Sequence, residues 1–263
     1  MSNPQHSAAT PFFNSLCDFM ATRRTIRRYT AEDVSQETLD HLLTLASRTQ
    51  TMGGLQLYSV VTTRDQAMKR RLSPLHFGQP MVTEAPVVLT FCADYHRTTA
   101  WCDCRQANPG YDNLLSFLNA ATDALLFCQT FCTLAEAEGL GLCYLGTTLY
   151  NPLGIIEALK LPRLVMPVAT ITLGHPAEVP PVLTERLPLT AIVHAEHYVA
   201  ATPETIDRDY AAKEALPQNQ AFVSENHKET LAQVFTDVRY TRRDCEAMSL
   251  TMMEALRRQG FID

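Results

Sequence analysis

Four arginines within six residues near the start of the chain form its densest group of charged side chains. The segment reads Arg23-Arg-Thr-Ile-Arg-Arg-Tyr29. An arginine guanidinium offers a planar fork of N–H donors that matches phosphate oxygens, and Thr25 adds a hydroxyl. Ile26 would point inward and so fix the direction of the arginines. The segment predicts a phosphate-binding site, and the alternative is a solvated basic face.

A second motif, Glu138 to Thr148, reads EGLGLCYLGTT. Its glycines bracket a short apolar strand and would let a flat ligand approach the backbone closely. A dinucleotide-binding glycine motif should follow a strand and open a helix, whereas these first glycines end a helix. A simple helix cap with a tight turn is therefore the alternative.

The eight cysteines include two local pairs, Cys102 with Cys104 and Cys128 with Cys132. Neither pair is accompanied by further ligands at zinc-site spacing, so we predict reduced thiols and no metal site. The sequence also lacks the glycine-flanked serine, paired-histidine and phosphate-loop motifs of hydrolases and nucleotide enzymes. The absence of these motifs favours an enzyme in which a bound cofactor carries out the chemistry.

Composition narrows the possible partners and compartment. The chain has 263 residues, 46% of them apolar, and a formal net charge of −6. A nucleic-acid surface needs clustered basic residues over a whole face, so nucleic acid is excluded as a partner. Met1 to Thr10 lacks the pattern of a signal peptide, and no run approaches the ~18 apolar residues of a membrane helix. We expect a cytoplasmic protein without a membrane partner.

Strands and helices alternate around these motifs. Apolar β-branched runs predict strands at 57–63, 86–93, 142–144 and 164–173, and 193–199 could pair as a further strand. Pro167 suggests an edge or end position in its strand. Helical periodicity predicts helices at 12–21, 65–72, 111–139 and 152–159. It also predicts a further helix that Ser35 caps, and a helical C-terminal region.

The helix predicted from Tyr111 to Gly139 is apolar nearly all the way round. Such a helix must be buried on most sides, and packing on the chain's own sheet would leave apolar surface over. A partner subunit would cover the rest.

These blocks resemble the nitroreductase family, in particular its NADPH-flavin oxidoreductases and oxygen-insensitive nitroreductases. Arg23 to Tyr29 is similar to the family's R-S-I-R-x-F/Y signature, and Gly78-Gln79 to its flavin-contacting G-Q. Gly139 to Gly146 resembles the G-L-G-x-x-Y-I-G block, and Arg186-Leu-Pro188 the R-L-P after a proline-rich arm. The resemblance runs from about Phe13 to about Tyr198.

The resemblance implies an α+β fold, in which a central mixed sheet is flanked by helices. It implies one domain over 1–263, with an extended arm at about 177–200 that is exchanged in a homodimer and a helical region at about 203–263. It further implies one FMN per subunit, in a cleft between protomers.

The resemblance also assigns residues to the flavin. Arg23, Thr25 and Arg27 match the segment that holds the phosphate and the polar ring edge, with Arg24 as a neighbour. Gln79 matches a residue at the pyrimidine edge. A backbone strip along the ring near N5 is matched by Tyr144, Leu145, Gly146 and Thr147.

Two further assignments include departures from the family. Thr51, Met52 and Gly53 match a serine-rich stretch that touches the flavin of the partner chain. Arg186 matches a cation, but Thr184 stands where the family has lysine. Pro217 to Ala221 replaces an arginine-rich NADPH-binding loop, so the nucleotide preference stays open. NADPH could be bound instead by Arg239, Arg242 and Arg243. The alternative is that these arginines form a solvated helix end.

The implied reaction transfers hydride from NAD(P)H through flavin N5 to a nitroaromatic, quinone or flavin acceptor by a ping-pong mechanism. No side chain is catalytic, and the Gly146 backbone lies near N5. One alternative is a flavin-binding redox sensor or carrier. Another is a same-fold enzyme of different reaction, such as dehalogenation or flavin breakdown.

Overall fold

In the computed structural model, residues 10–263 are described, so the prediction for Met1 to Thr10 lies almost wholly outside the described residues. The chain divides into two compact units. The first comprises Met1–Pro181 and Met248–Asp263, and the second is Val182–Ala247. The single domain predicted over 1–263 stays a prediction.

The first unit contains a four-stranded sheet and most of the helices. The strands are β1 (Tyr58–Thr63), β2 (Val87–Asp94), β3 (Gly141–Leu145) and β4 (Val165–Gly174), in the order β1-β2-β4-β3. The helices of this unit are α1 (Pro11–Thr22), α2 (Gln36–Ala46), α3 (Gln66–Leu72), α4 (Met81–Glu84), α5 (His96–Asp103), α6 (Leu114–Ala137) and α7 (Pro152–Leu159).

The fold class is α+β, as predicted. All three strand pairings are antiparallel, however, whereas the resemblance implies a mixed sheet. A parallel pair would need another strand, and the described residues of one chain supply none. The segment 193–199 forms no strand, so that prediction is wrong; its nearest regular element is a 3-10 turn at Leu189–Ala191.

Pro167 lies inside β4, opposite Cys92, where the register shifts by one residue. Proline has no N–H to donate to a neighbouring strand, and a bulge relieves that demand. On its other side β4 pairs with β3 only through Thr170 to Gly174, so Pro167 lies beyond the end of β3.

Helix α6 packs on the sheet and fills the main hydrophobic core. Asn113 caps it by accepting the Ser116 N–H at 3.0 Å, and Gly139 ends it with φ of +89°. Phe127 and Phe131 on its buried side contact Phe91 of β2. By length and mean hydropathy alone this helix could cross a membrane, whereas the sequence analysis expected no apolar run long enough to do so. Its buried residues belong to the core.

The second unit holds α8 (Pro203–Glu214), α9 (Pro217–Glu225) and α10 (Leu231–Val234), followed by a π-helical turn, Phe235–Arg239. Helix α11 (Arg242–Gln259) begins in this unit and ends in the first. Within the second unit, the Arg239 guanidinium stacks 4.3 Å above the centre of the Phe222 ring.

Candidate functional site

The arginine segment is attached by backbone hydrogen bonds to β3 and to the residue that follows β4. The Ile26 N–H donates to the Leu142 carbonyl at 3.0 Å, and the Thr30 N–H donates to the His175 carbonyl at 2.9 Å. Ile26 is buried, as its apolar character predicts. It packs so closely on Gly141 that a Cβ at that glycine would lie 2.7 Å from the isoleucine side chain. This packing fixes the position of the arginines.

Of the first two arginines, Arg23 contacts the end of α6 and Arg24 contacts the end of α1. Arg23 donates to the Thr25 hydroxyl at 3.4 Å and lies 3.5 Å from the Glu136 carboxylate. Burial raises the pKa of Glu136, and the charge of Arg23 opposes that rise. Arg24 donates to the Thr22 carbonyl at 2.6 Å, while its Nε is buried without a hydrogen-bond partner.

The other two arginines differ in their surroundings. Burial raises the pKa of the Cys143 thiol on β3, and the charge of the Arg27 guanidinium, together with a hydrogen bond from it, opposes that rise, so Arg27 lies close to β3. The Arg28 side chain is 72% exposed, and its one ion pair among the described residues is with Glu178, itself 62% exposed, at 3.5 Å. Arg27 also lines an open cavity of about 520 Å³, whose other walls are Arg28, Tyr29, Pro80, Met81, Glu84 and Ala177.

The predicted backbone strip follows the arginine segment on β3. Leu145 is buried, whereas Tyr144 is 47% exposed and partial burial raises the pKa of its hydroxyl. Gly146 begins a 3-10 turn, Gly146–Leu149, and a Cβ placed on it would meet nothing within 4 Å. The backbone at Gly146 is therefore open to a flat ligand.

A histidine that the sequence analysis missed connects this strip to a 3-10 turn at Ser73–His76. His76 is fully buried, and its Nδ1 lies 2.8 Å from the Thr147 hydroxyl. Burial lowers the pKa of His76 to about 4, so the ring is neutral at neutral pH. Its Nε2 is buried without a partner. No motif surrounds His76 in the sequence, so only the fold could reveal the contact.

Gln79 lies three residues after His76, which ends the 3-10 turn Ser73–His76. Its side-chain amide donates to the His76 carbonyl at 3.1 Å, and Gly78 before it has φ of +66°. Asn151 donates to the Leu75 carbonyl at 2.8 Å and fastens the turn to the start of α7. His76 thus links Gln79, through its carbonyl, to Thr147, through its ring.

Thr51, Met52 and Gly53 occupy a different part of the first unit. Gly53 has φ of +57°, and Met52 is 47% exposed. The Met52 N–H donates to Asp123 of α6 at 2.8 Å. The hydrogen bonds found among residues 10–263 connect this segment to α6 and not to the arginine segment.

Arg186 belongs to the second unit. It is exposed, and its guanidinium donates to the carbonyls of Thr184 and Glu185 at 3.1 and 3.0 Å. Of the arginines considered for NADPH binding, Arg242 forms an ion pair with Glu246 at 2.8 Å. Arg239 stacks on Phe222, as described above.

The cysteines are all free thiols. Cys128 and Cys132 are buried in α6, and the pKa of Cys128 is raised by its neighbour Cys132 and by burial. Cys104 is exposed. Within the part of the chain that the structure describes, no cluster of three His, Cys, Asp or Glu residues could hold a metal ion.

The arrangement in the first unit has two chemical properties. Three arginines and a threonine can bind a phosphate through charge-assisted hydrogen bonds. Directly after β3, to which the arginine segment is bonded, the Gly146 backbone is open to a planar ring, and His76 links Thr147 to the Gln79 segment. Such a site suits a cofactor that carries out the chemistry itself.

Comparison with known proteins gives consistent matches. The sequence profile of the nitroreductase family matches residues 20–175. The chain is 36% identical to the FMN reductase [NAD(P)H] of Bacillus subtilis over 71% of this chain and 75% of that protein. It is 33% identical to the oxygen-insensitive NADPH nitroreductase of Salmonella typhimurium, over 69% and 73% of the two proteins.

Among solved structures, a crystal structure from Bacteroides fragilis, provisionally described as an oxidoreductase, has a TM-score of 0.92 and 59% sequence identity. That match covers 94% of this chain and all of the other.

Proposed function

This chain belongs to the nitroreductase family, and from that membership we propose that it reduces a small planar acceptor by a ping-pong mechanism as a homodimer. It is an FMN-dependent NAD(P)H oxidoreductase of the nitroreductase type. FMN is its cofactor and NAD(P)H its co-substrate.

The residues of the first unit fit FMN. The observation that carries the fit is the attachment of the arginine segment to β3 through the Ile26–Leu142 hydrogen bond, with the open Gly146 backbone directly after the end of the same strand. Arg24 adds a buried Nε that has no partner among residues 10–263, which a phosphate oxygen could satisfy. A phosphate at the arginines would leave the flavin ring free to lie along the strip.

When bound, FMN supplies the redox chemistry by accepting hydride at N5 and passing electrons on. Arg23, Thr25 and Arg27 bind and orient it by charge. A cation near the polar ring edge also stabilises negative charge there after reduction. Gln79 fixes the pyrimidine edge, and the Gly146 backbone permits close approach near N5.

Neutral His76 holds the Thr147 side chain without adding a positive charge beneath the strip. Arg186 of the second unit is proposed as a further cation for the same cofactor. No side chain needs to donate or accept a proton at the reacting atoms in this scheme.

FMN held along the open backbone at Gly146 would have one ring face free for both substrates, which supports a ping-pong order. The nicotinamide would stack on that face, deliver hydride and leave, and the acceptor would then occupy the same place. A nitroaromatic, a quinone or a free flavin is flat enough to do so. We place the enzyme in the cytoplasm, in keeping with its reduced cysteines.

The homodimer is supported by an apolar stripe on α6 that faces away from the sheet. Leu115 is 67%, Leu118 51% and Leu125 41% exposed. Apolar side chains at this helical spacing form a face that a second copy could bury. In such a dimer, Thr51, Met52 and Gly53 are proposed to reach the flavin of the partner.

The proposal is tested on purified protein in an anaerobic cuvette. The protein should be yellow with the absorption band of oxidised flavin, and NADH or NADPH should bleach it. Addition of a quinone or nitroaromatic should then restore the band. Retained FMN that neither nucleotide bleaches would instead identify a redox sensor or carrier. A colourless protein that takes up no FMN would refute the proposed site.

A further inference from the structure

A buried carboxylate on α6 fixes the conformation of the segment from Thr51 to Leu57. Asp123 is 2% exposed, and its two oxygens accept separate backbone N–H groups. Oδ1 accepts from Met52 at 2.8 Å and Oδ2 accepts from Leu57 at 3.1 Å. One side chain therefore closes both ends of a six-residue loop.

The loop depends on this support because its backbone is unusual. Gly53, Gly54 and Gln56 have φ of +57°, +70° and +52°. The left-handed region carries a steric cost for a residue with a side chain such as Gln56. A second link from α6, the Thr130 hydroxyl to the Thr49 hydroxyl at 3.0 Å, holds the chain just before the loop. Thus α6 holds the loop at three points.

Asp123 has no charged partner that would explain its burial. None of the ion pairs found among residues 10–263 includes it. A buried carboxylate without a cation is costly unless hydrogen bonds to its oxygens compensate, and the two loop N–H groups provide them. The loop and the carboxylate therefore stabilise each other.

We propose that Asp123 is a positioning residue for FMN: it holds the backbone of Thr51, Met52 and Gly53 in the shape that binds the flavin of the partner subunit. This inference rests on the proposed function and adds a residue to it. The exposed Leu118 and Leu125 lie on the same helix, so the dimer contact and the flavin-binding loop share one rigid support. Dimer formation would deliver an already shaped loop to the neighbouring cofactor.

The expected size of the effect follows from pre-organisation. If the loop occupies its binding shape only part of the time, the apparent dissociation constant rises by the inverse of that fraction. An amide at position 123 can accept one of the two N–H groups but would set its own NH2 against the other. We expect Asp123→Asn to raise the dissociation constant for FMN by about tenfold or more.

A matched control is available in Asp94, which is 5% exposed and also accepts two hydrogen bonds. Its partners are the Arg97 N–H at 3.1 Å and the Ser59 hydroxyl. Asp94→Asn makes the same chemical change at the β2–α5 corner. Both variants should lose stability, but only Asp123→Asn should lose FMN affinity, measured by fluorescence titration of the apoprotein. Equal affinities for Asp123→Asn and wild type would overturn the proposal, as would equal losses in the two variants.

A mixed dimer identifies which flavin the loop serves. One subunit carries Arg27→Ala, which damages a chain's own site, and the other carries Asp123→Asn. If the loop acts on the partner, one site receives a normal arginine and a normal loop, so one tight FMN per dimer is expected. If it acts within its own chain, both sites are damaged and no tight FMN is expected, which would overturn the cross-subunit role.

Should Asp123→Asn fail to fold, Thr49→Val removes the other link and should raise the dissociation constant by roughly threefold. An unchanged value in that folded variant would then overturn the proposal. Failure of wild-type protein to bind FMN would instead refute the proposed function, so the two failures are distinguishable.

Discussion

The guanidinium of Arg23 lies 3.5 Å from the carboxylate of Glu136, whose side chain is only 8% exposed. One carboxylate oxygen is buried without a hydrogen bond, so the pair attracts by charge without good hydrogen-bond geometry. A phosphate bound by Arg23 would compete with this carboxylate. We therefore expect Glu136 to weaken FMN binding at the proposed site.

Replacing Glu136 by Gln should tighten FMN binding by roughly threefold to tenfold, because it removes a negative charge beside the phosphate-binding arginine. Titration of apoprotein with FMN measures the change. Glu138→Gln, an exposed change two residues away, serves as the control and should have little effect. Weaker binding in Glu136→Gln would show that the carboxylate is needed to orient Arg23.

Arg27 and Arg28 are neighbours with different expected roles. Arg27→Ala should release FMN during gel filtration, because its guanidinium reaches β3 beside the strip. Arg28→Ala should retain it, because Arg28 is 72% exposed and meets only Glu178. Equal flavin content in the two purified variants would contradict this orientation.

His76 should make the apoprotein sensitive to acid. Burial lowers its pKa from 6.5 to about 4, so the unfolded state binds the proton more readily than the folded state. The resulting stability is present above pH 6.5 and is lost as the pH falls towards 4. Urea unfolding of wild type and His76→Asn should diverge over this range by about 3 kcal/mol, with wild type losing more. Parallel curves would refute the prediction, and His41→Asn on the exposed face of α2 should follow wild type.

Two glycines should respond differently to alanine. Gly141→Ala would press a Cβ against Ile26 and should cost about 1–3 kcal/mol of stability, with weaker FMN binding because the arginine segment shifts. Gly146→Ala should leave the stability of the apoprotein nearly unchanged, since its Cβ meets nothing within 4 Å. It should still weaken FMN binding by occupying the ring's place. Normal FMN affinity in Gly146→Ala would remove Gly146 from the site.

The apolar stripe of α6 should control assembly. Leu118→Glu with Leu125→Glu should give monomers in sedimentation experiments and protein that retains little FMN, because charged side chains oppose burial of the stripe. Leu250→Glu on α11 is the control, since Leu250 is 68% exposed outside the stripe. A double variant that stays dimeric would place the interface elsewhere.

Local patterns were sufficient to predict most elements. The helix predicted at 152–159 is observed as Pro152–Leu159, and Ser35 caps α2 through the Thr38 N–H as expected. The segment 193–199 has alternation suitable for a strand, but a strand also needs a free neighbouring edge. That requirement is non-local, so the sequence pattern alone could not exclude the pairing.

The same limit applies to the candidate site. The arginine segment and the glycine strip carry recognisable patterns within a few residues. His76 and Asp123 do not, because their roles arise from contacts with Thr147 and Met52, each 71 residues away in the chain. Such contacts become visible only when the fold brings the residues together.

The attachment of the arginine segment has a consequence for biosynthesis. Ile26 bonds to Leu142, and Thr30 bonds to His175. The arginine segment is synthesised early, but it cannot form these bonds until more than a hundred further residues have left the ribosome. Closing such long loops is slow relative to local helix formation. We therefore expect a nascent chain to leave these arginines loose through most of its synthesis, and the cofactor to be captured only late in folding.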